Sequence, residues 1–353
     1  MNKICIITRK LTGGGSERVF SLIANGFSSM DDCRTFILSG KSGENEYHLE
    51  PNVIRIEELC GNNIFRDAYT IVSNTVKHKF DVLIGGGFYC NICCCMAKLF
   101  IGRTKVVISE RNDPKRDLIS WRGRIARSIF FPLADGVVFQ TQSAMDYYPK
   151  RISSRGKVIP NPIIDDLPQR IPTKDTIVSI GRLHPQKNYP MLIDAYDMVW
   201  TNNKSFKLVI YGSGSEKKRL VEYARSKKSA NNIYFEDFCQ DVHERIKNDK
   251  IFVLSSLFEG MPNALMEAMA MGFPVIATDT ENGGCREIIT DGYNGFLVGV
   301  NDVTQLAKKI QLLISDEDTR EKIAGNARVS MKRYLKDSIC AEWMDFVNNI
   351  LQL

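Results

Sequence analysis

The sequence predicts an α/β protein built of two doubly wound domains, on three observations. The chain has 353 residues, more than one hydrophobic core usually organises. Short apolar runs alternate with segments of helical period through both halves, the pattern of a parallel sheet covered by helices. A polar, proline-punctuated stretch between the two sets marks a boundary.

The strands are expected in order at Ile4–Ile7, Arg34–Leu38, Val82–Ile84, Val106–Ile108 and Val137–Phe139, then at Ile177–Ile180, Lys207–Tyr211, Ile233–Phe235, Ile251–Leu254 and Val275–Ala277. The hinge falls at Val158 to Pro162 and the stretch Asp165 to Lys174. This gives an N-terminal domain of residues 1–168 and a C-terminal domain of 169–336. After Asp302 the chain reads as helix. Its last segment, 337–353, carries Ile339, Trp343, Phe346, Val347 and Ile350 at helical spacing and needs a packing partner.

A 44% hydrophobic content with 25% charged residues and 12 prolines excludes disorder as the main state. The first apolar run is too short for a secretory signal, and the richest one, Phe88 to Ile101, is broken by Asn91 and Lys98. The expectation is a cytoplasmic protein without a membrane span. Ten cysteines in a reducing compartment argue against disulfides. The spacing of Cys90 and Cys93 suits a zinc or redox pair, but no second pair follows at zinc-ribbon spacing, and small buried side chains are the favoured reading.

The net charge of +6 is uneven: Lys98 to Lys157 holds 13 Lys/Arg against 5 Asp/Glu, a local +8. Within it, Asp117 to Phe131 places Leu118, Trp121, Ile125 and Ile129 near one helical face, with Arg122, Arg124 and Arg127 among the polar positions. Such a helix could lie on an anionic membrane surface, peripheral at the inner face of the plasma membrane. An ordinary helix packed on its own domain with a solvated basic face explains it equally well.

Three motifs carry chemistry. The first, Gly13, Gly14 and Gly15, lies between a strand and a helix, where glycines allow close backbone approach and the helix N-terminus attracts an anion. A plain tight turn is the even alternative. The second runs from Gly181 and Arg182 to Lys187 and Asn188. Two cations on a loop at the carboxyl end of a parallel strand can converge on a diphosphate. The third follows strand Ile251–Leu254: Glu259 on the loop, Pro262 in a first helical turn, the amides of Asn263, Ala264 and Leu265, and Glu267 two turns on. Ala268 to Met271 make this helix apolar nearly all round, so its glutamates need partners, and sugar hydroxyls would serve.

Glu259 and Glu267, Gly181, Arg182, Lys187, Asn188, the Tyr211 to Gly214 turn and the N-terminal glycines, taken together and in this order, make the chain resemble glycosyltransferase family four, retaining enzymes of GT-B fold. The resemblance runs from about Ile4 to the final helix. It implies two Rossmann-like domains facing across a cleft, the first binding acceptor and the second a nucleotide sugar, with the final helix crossing back to the first. By the same resemblance Arg182 and Lys187 hold the donor diphosphate, Glu259 the transferred sugar and Glu267 the ribose. Gly14 and Gly15 close over the phosphate, Gly181, Gly212 and the backbone of Asn263 to Leu265 line the donor, and Phe238, in the Phe235 to Gln240 loop, borders the base.

Many relatives place a histidine near the reacting sugar; here Ser109 is followed by Glu110, Arg111 and Asn112, which become candidates for the acceptor side, as does Asn161. The implied reaction moves a hexose or N-acetylhexosamine, from a uridine diphosphate sugar in the favoured case, to a saccharide or lipid-linked saccharide. No metal or other cofactor is expected, because the two cations can neutralise the leaving diphosphate and no Asp-x-Asp ends a strand. A nucleotide-sugar epimerase or a non-catalytic sugar-nucleotide binder remains the alternative. Nucleic acid is not an expected partner, since none of its recognition motifs occurs.

Overall fold

A computed structural model of the chain describes residues 1–41, 43, 46–111, 113–114, 120–281 and 283–352. They form two units, Met1–Pro162 with Tyr334–Leu353, and Ile163–Arg333.

The first unit runs β1 (Asn2–Ile7), α1 (Gly15–Ser28), β2 (Cys33–Gly40), β3 (Ile54–Leu59), α2 (Ile64–His78), β4 (Val82–Gly86), α3 (Phe88–Lys98), β5 (Lys105–Glu110), α4 (Trp121–Phe130), β6 (Gly136–Phe139), the short α5 (Gln142–Asp146) and α6 (Lys150–Ser153), and β7 (Gly156–Val158). Its seven strands are all parallel, in the order β3-β2-β1-β4-β5-β6-β7. Strand alternation divides the core between two faces. Cys5 and Ile7 pack with α3 and Phe131, whereas Ile4 and Ile6 pack with Phe20, Ile23 and Phe27 of α1. Cys90, Cys93, Cys94 and Cys95 sit inside the first of these layers, and burial pushes the Cys93 thiol up to about 12. They act as small core side chains.

The second unit runs β8 (Lys174–Ile180), α7 (Tyr189–Trp200), β9 (Lys207–Tyr211), α8 (Lys217–Arg225), β10 (Ile233–Glu236), α9 (Val242–Ile246), β11 (Asp249–Leu254), α10 (Asn263–Met271), β12 (Val275–Asp279), β13 (Phe296–Gly299), α11 (Val303–Ser315) and α12 (Glu317–Ser330). Six parallel strands are ordered β10-β9-β8-β11-β12-β13. Arg170 ties the entering chain down: its Nε donates to Gly272 O at 2.6 Å and its guanidinium meets Glu321 at 2.5 Å.

The last helix, α13 (Lys336–Leu351), packs on α1 of the first unit and buries Ile339, Trp343, Val347 and Ile350. Two glycines make room for it. A Cβ on Gly26 would lie 2.3 Å from Cys340 Sγ, and one on Gly136 would lie 2.2 Å from Ile350 Cδ1.

All the expected strands are present. The three that sequence reading misses, β3, β7 and β13, are sheet-edge strands, and β3 and β7 bury little of their length. An edge strand with one wet side carries a weaker apolar signal.

Candidate functional site

In the second unit the loops after β8 and β11 are stitched together. Leu257 N donates to Gln186 O at 2.8 Å, Gln186 Nε2 to Phe258 O at 2.9 Å, and Ser255 Oγ to Lys187 O at 2.8 Å. The first loop turns through Pro185–Lys187, with His184 Nδ1 accepting from Gln186 N, and leaves by Asn188 in the left-handed region at φ 48°.

This stitching brings Lys187 Nζ to 2.6 Å from Glu259 Oε1, an oxygen that also accepts from Ser256 Oγ at 2.6 Å. Both side chains are largely out of water, where an ion pair repays its desolvation only with further hydrogen bonds, as Ser256 provides. Arg182 stays exposed on the same loop, its Nη2 donating to Gln186 Oε1 at 3.4 Å. Two cations and one carboxylate therefore stand at the carboxyl ends of adjacent strands β8 and β11, the edge where open α/β sheets bind ligands.

Glu267 is buried on α10, its Oε2 2.9 Å from His243 Nε2 of α9. Sequence reading misses His243, because the contact joins two helices through space and no local motif announces it. Pro262 is the N-cap of α10 rather than part of its first turn. Of the three amides expected to point outward, that of Leu265 donates to Pro262 O at 3.1 Å, as the first helical turn requires, and so is spent inside the helix. Asn263 and Ala264 are half-buried at its start.

Gly181 and Gly212 touch each other: a Cβ on Gly212 would sit 1.9 Å from Gly181 O. Backbone contact between the loops after β8 and β9 accounts for glycine there. Phe238 is exposed beyond β10, its amide donating to Ser213 Oγ at 3.3 Å.

In the first unit, Gly14 caps α1 and Gly15 begins it. The Glu17 carboxylate lies against Gly14, where a Cβ would meet Oε2 at 1.9 Å, and it accepts from Ser16 Oγ at 2.9 Å. An acid at a helix N-terminus complements its dipole.

Glu110, Arg111 and Asn161 are all buried; Asn112 lies outside the described residues. Arg111 Nη1 donates to Asn161 Oδ1 at 2.9 Å, which also accepts from Gln140 Nε2 at 3.0 Å. The guanidinium lies 5.6 Å from the Phe20 ring and 5.2 Å from that of Trp343 on α13. Burial pulls its pKa down to about 9, with Glu110 acting in the opposite sense. Tyr148 donates its hydroxyl to Glu110.

Helix α4 departs from expectation. Arg127, expected among the polar positions, is buried, 4.9 Å and 5.1 Å over the Tyr147 and Tyr148 rings, and donates to Pro114 O at 3.0 Å. The apolar residues point outward instead: Trp121, Ile125 and Ile129 are 67%, 48% and 58% exposed. Leu118 lies outside the described residues. No helix among the described residues is long and apolar enough to cross a membrane.

Comparison with known proteins agrees with this architecture. The chain is 27% identical over 365 residues, 99% of both chains, to a Campylobacter jejuni enzyme, GalNAc-alpha-(1->4)-GalNAc-alpha-(1->3)-diNAcBac-PP-undecaprenol alpha-1,4-N-acetyl-D-galactosaminyltransferase. Among solved structures, Anabaena HepE in complex with UDP and glucose superposes with a TM-score of 0.84 at 20% identity, over 99% of this chain and 100% of that one. Sucrose-phosphate synthase from Thermosynechococcus elongatus gives 0.86 at 15% identity over 100% of both. These likenesses show the GT-B fold. Residues 165–330, which contain Arg182, Lys187, Glu259 and Glu267, match the family model described as glycosyl transferases group 1. The likeness to the group 1 glycosyl transferases thus lies in this segment of the second unit.

Proposed function

We propose that the chain is a retaining transferase that moves a hexose or N-acetylhexosamine from a UDP-sugar to a saccharide or lipid-linked saccharide. The observation that carries this reading is the Lys187–Glu259 pair at 2.6 Å with Arg182 exposed beside it. It is a charge arrangement ready to exchange an internal partner for a diphosphate and a sugar. The names of the Anabaena structure, with UDP and glucose, and of the Campylobacter enzyme, with its undecaprenol-linked acceptor, support donor and acceptor class.

In the proposed reaction the acceptor hydroxyl oxygen bonds to the anomeric carbon as the bond from that carbon to the phosphate oxygen breaks. The proton passes to the departing phosphate, on the same face, so the configuration is kept. Arg182 and Lys187 meet the charge that grows on the leaving oxygen, so they stabilise the transition state more than the ground state. The amide of Ala264 adds to that neutralisation, and no metal is required. Glu259 accepts from a hydroxyl of the moving sugar, Glu267 from the ribose, and His243 fixes the Glu267 carboxylate meanwhile.

Arg182→Ala, Lys187→Ala and Glu259→Ala should each lower kcat by about 10²–10³, some 3 kcal/mol, in protein that unfolds at the wild-type temperature. The assay follows UDP release and the anomeric signals of the product by NMR. Turnover at wild-type rate in all three variants would contradict the assignment, an inverted product would remove retention, and donor returned as an altered nucleotide sugar without acceptor would favour the epimerase.

A further inference from the structure

Within the first unit, a pocket of about 910 Å³ opens at the carboxyl ends of β1, β2 and β3, with Glu17, the acid that lies against Gly14, in its lining. Four cations line it, Arg9, Lys10, Lys41 and Arg66, against Glu17, Glu57 and Glu58. The acids are committed elsewhere. Glu57 pairs with Arg55 at 2.5 Å, Glu58 accepts from Asn74 Nδ2 at 2.7 Å, and Glu17 lies at the start of α1 with Ser16. None of the four cations forms an ion pair among the described residues.

The wall beside Arg9 is built on a buried acid. Buried Asp67 accepts from the amides of Cys60 and Gly61 and from the Tyr89 hydroxyl, each at 2.8 Å. That fixes both the loop after β3 and the Tyr89 ring. The Arg9 guanidinium stands 5.2 Å from the centre of this ring and beside Gly61, whose Cβ, if present, would be 3.8 Å from Arg9 Nε. Gly40 closes the floor, since a Cβ there would meet Arg9 O at 2.9 Å and Leu59 O at 3.0 Å. An exposed guanidinium over an aromatic ring, with no carboxylate paired to it among the described residues, is available to an anionic ligand. Asn62 and Thr70 in the same lining suit hydroxyls, and the volume is that of a ligand pocket rather than a single-ion site.

We propose that this pocket binds an anionic group of the acceptor, so that the enzyme glycosylates a negatively charged saccharide; the inference rests on the transferase reading above. The shared chemistry is a cluster of anionic oxygens next to hydroxyls. It can come from the carboxylate of an acidic sugar or from the diphosphate of a lipid-linked one.

The test is equilibrium binding of the full chain to methyl glucuronide, to the neutral methyl glucoside and to a short isoprenyl diphosphate. At least one anion should bind about tenfold more tightly than the glucoside and weaken with added salt, and the one that does names the source. Arg9→Ala and Arg66→Ala should each remove most of that preference and Arg9→Lys should retain part of it, while UDP affinity stays within twofold. Unchanged unfolding temperatures would show the variants to be folded. Equal binding of neutral and anionic probes, or a preference that survives both alanine substitutions, would overturn the proposal. Loss of UDP binding in the wild type with anion selectivity intact would instead sink the transferase reading and leave an anion site.

Discussion

Asp249 is a buried acid at the start of β11 whose burial raises its pKa to about 6, with Lys174 and Thr176 acting the other way. The folded state therefore holds this proton more tightly than the unfolded chain does, and stability falls as pH rises from about 4 to about 6, then levels off. Asp249→Asn keeps a hydrogen-bonding side chain without the charge. It should add on the order of 2 kcal/mol above pH 7 and nothing at pH 4, as denaturant unfolding at the two pH values would report. A benefit of equal size at both would contradict the assignment. The residues proposed for the donor stand out at this scale because each follows an apolar strand in a loop rich in Gly or Pro: Gly181 and Arg182 after Ile180, Glu259 after Leu254. His243 does not, since its role arises from packing of α9 on α10. Nor does the burial of Arg127, because an arginine that packs on two tyrosines of the turn after α5 looks, in sequence, like any solvated cation. Glu110 and Arg111, and separately Asn161, were acceptor-side candidates only through the resemblance, and the bond between Arg111 and Asn161 appears only in three dimensions.

Among the elements, α4 and α13 answer to different forces. Helix α4 anchors by Arg127 and turns Trp121, Ile125 and Ile129 outward beside exposed Arg122 and Arg124. Apolar side chains flanked by cations suit an anionic bilayer. Flotation with vesicles containing anionic phospholipid should therefore capture the wild type and fail for a triple Ser substitution at the three apolar positions, with capture reduced by salt; equal capture of both would remove the membrane role. Helix α13 is held by shape. Gly26→Ala gains about 1 kcal/mol of helix propensity but drives a methyl into Cys340, at about 1–3 kcal/mol. Combined with Cys340→Ala, the clash is relieved in large part, so a double-mutant cycle should give a favourable coupling of about 1 kcal/mol or more. Simple additivity would show that the two helices do not share that contact. The periodicity of Ile339, Trp343 and Val347 announced an apolar face and the resemblance pointed it at the first domain, but the choice of α1, more than three hundred residues earlier, appears only in the fold.

For the molecule as a whole, alternation of strand and helix gave the two doubly wound units, and the family match falls on the second. The proposed division of labour follows from where the charges lie: the Lys187–Glu259 pair with Arg182 beside it in residues 165–330, and, in the pocket of the first unit, cations with no ion pair among the described residues. Mass action links the first set to stability, because a ligand held by the folded state alone raises the unfolding temperature. The most direct measurement is calorimetric titration of UDP into the wild type, Arg182→Ala and Lys187→Ala. Saturable one-to-one binding, weakened at least tenfold by either substitution, is the predicted result. Absence of binding to the wild type, or equal affinity in all three proteins, would contradict a nucleoside diphosphate held by these two cations.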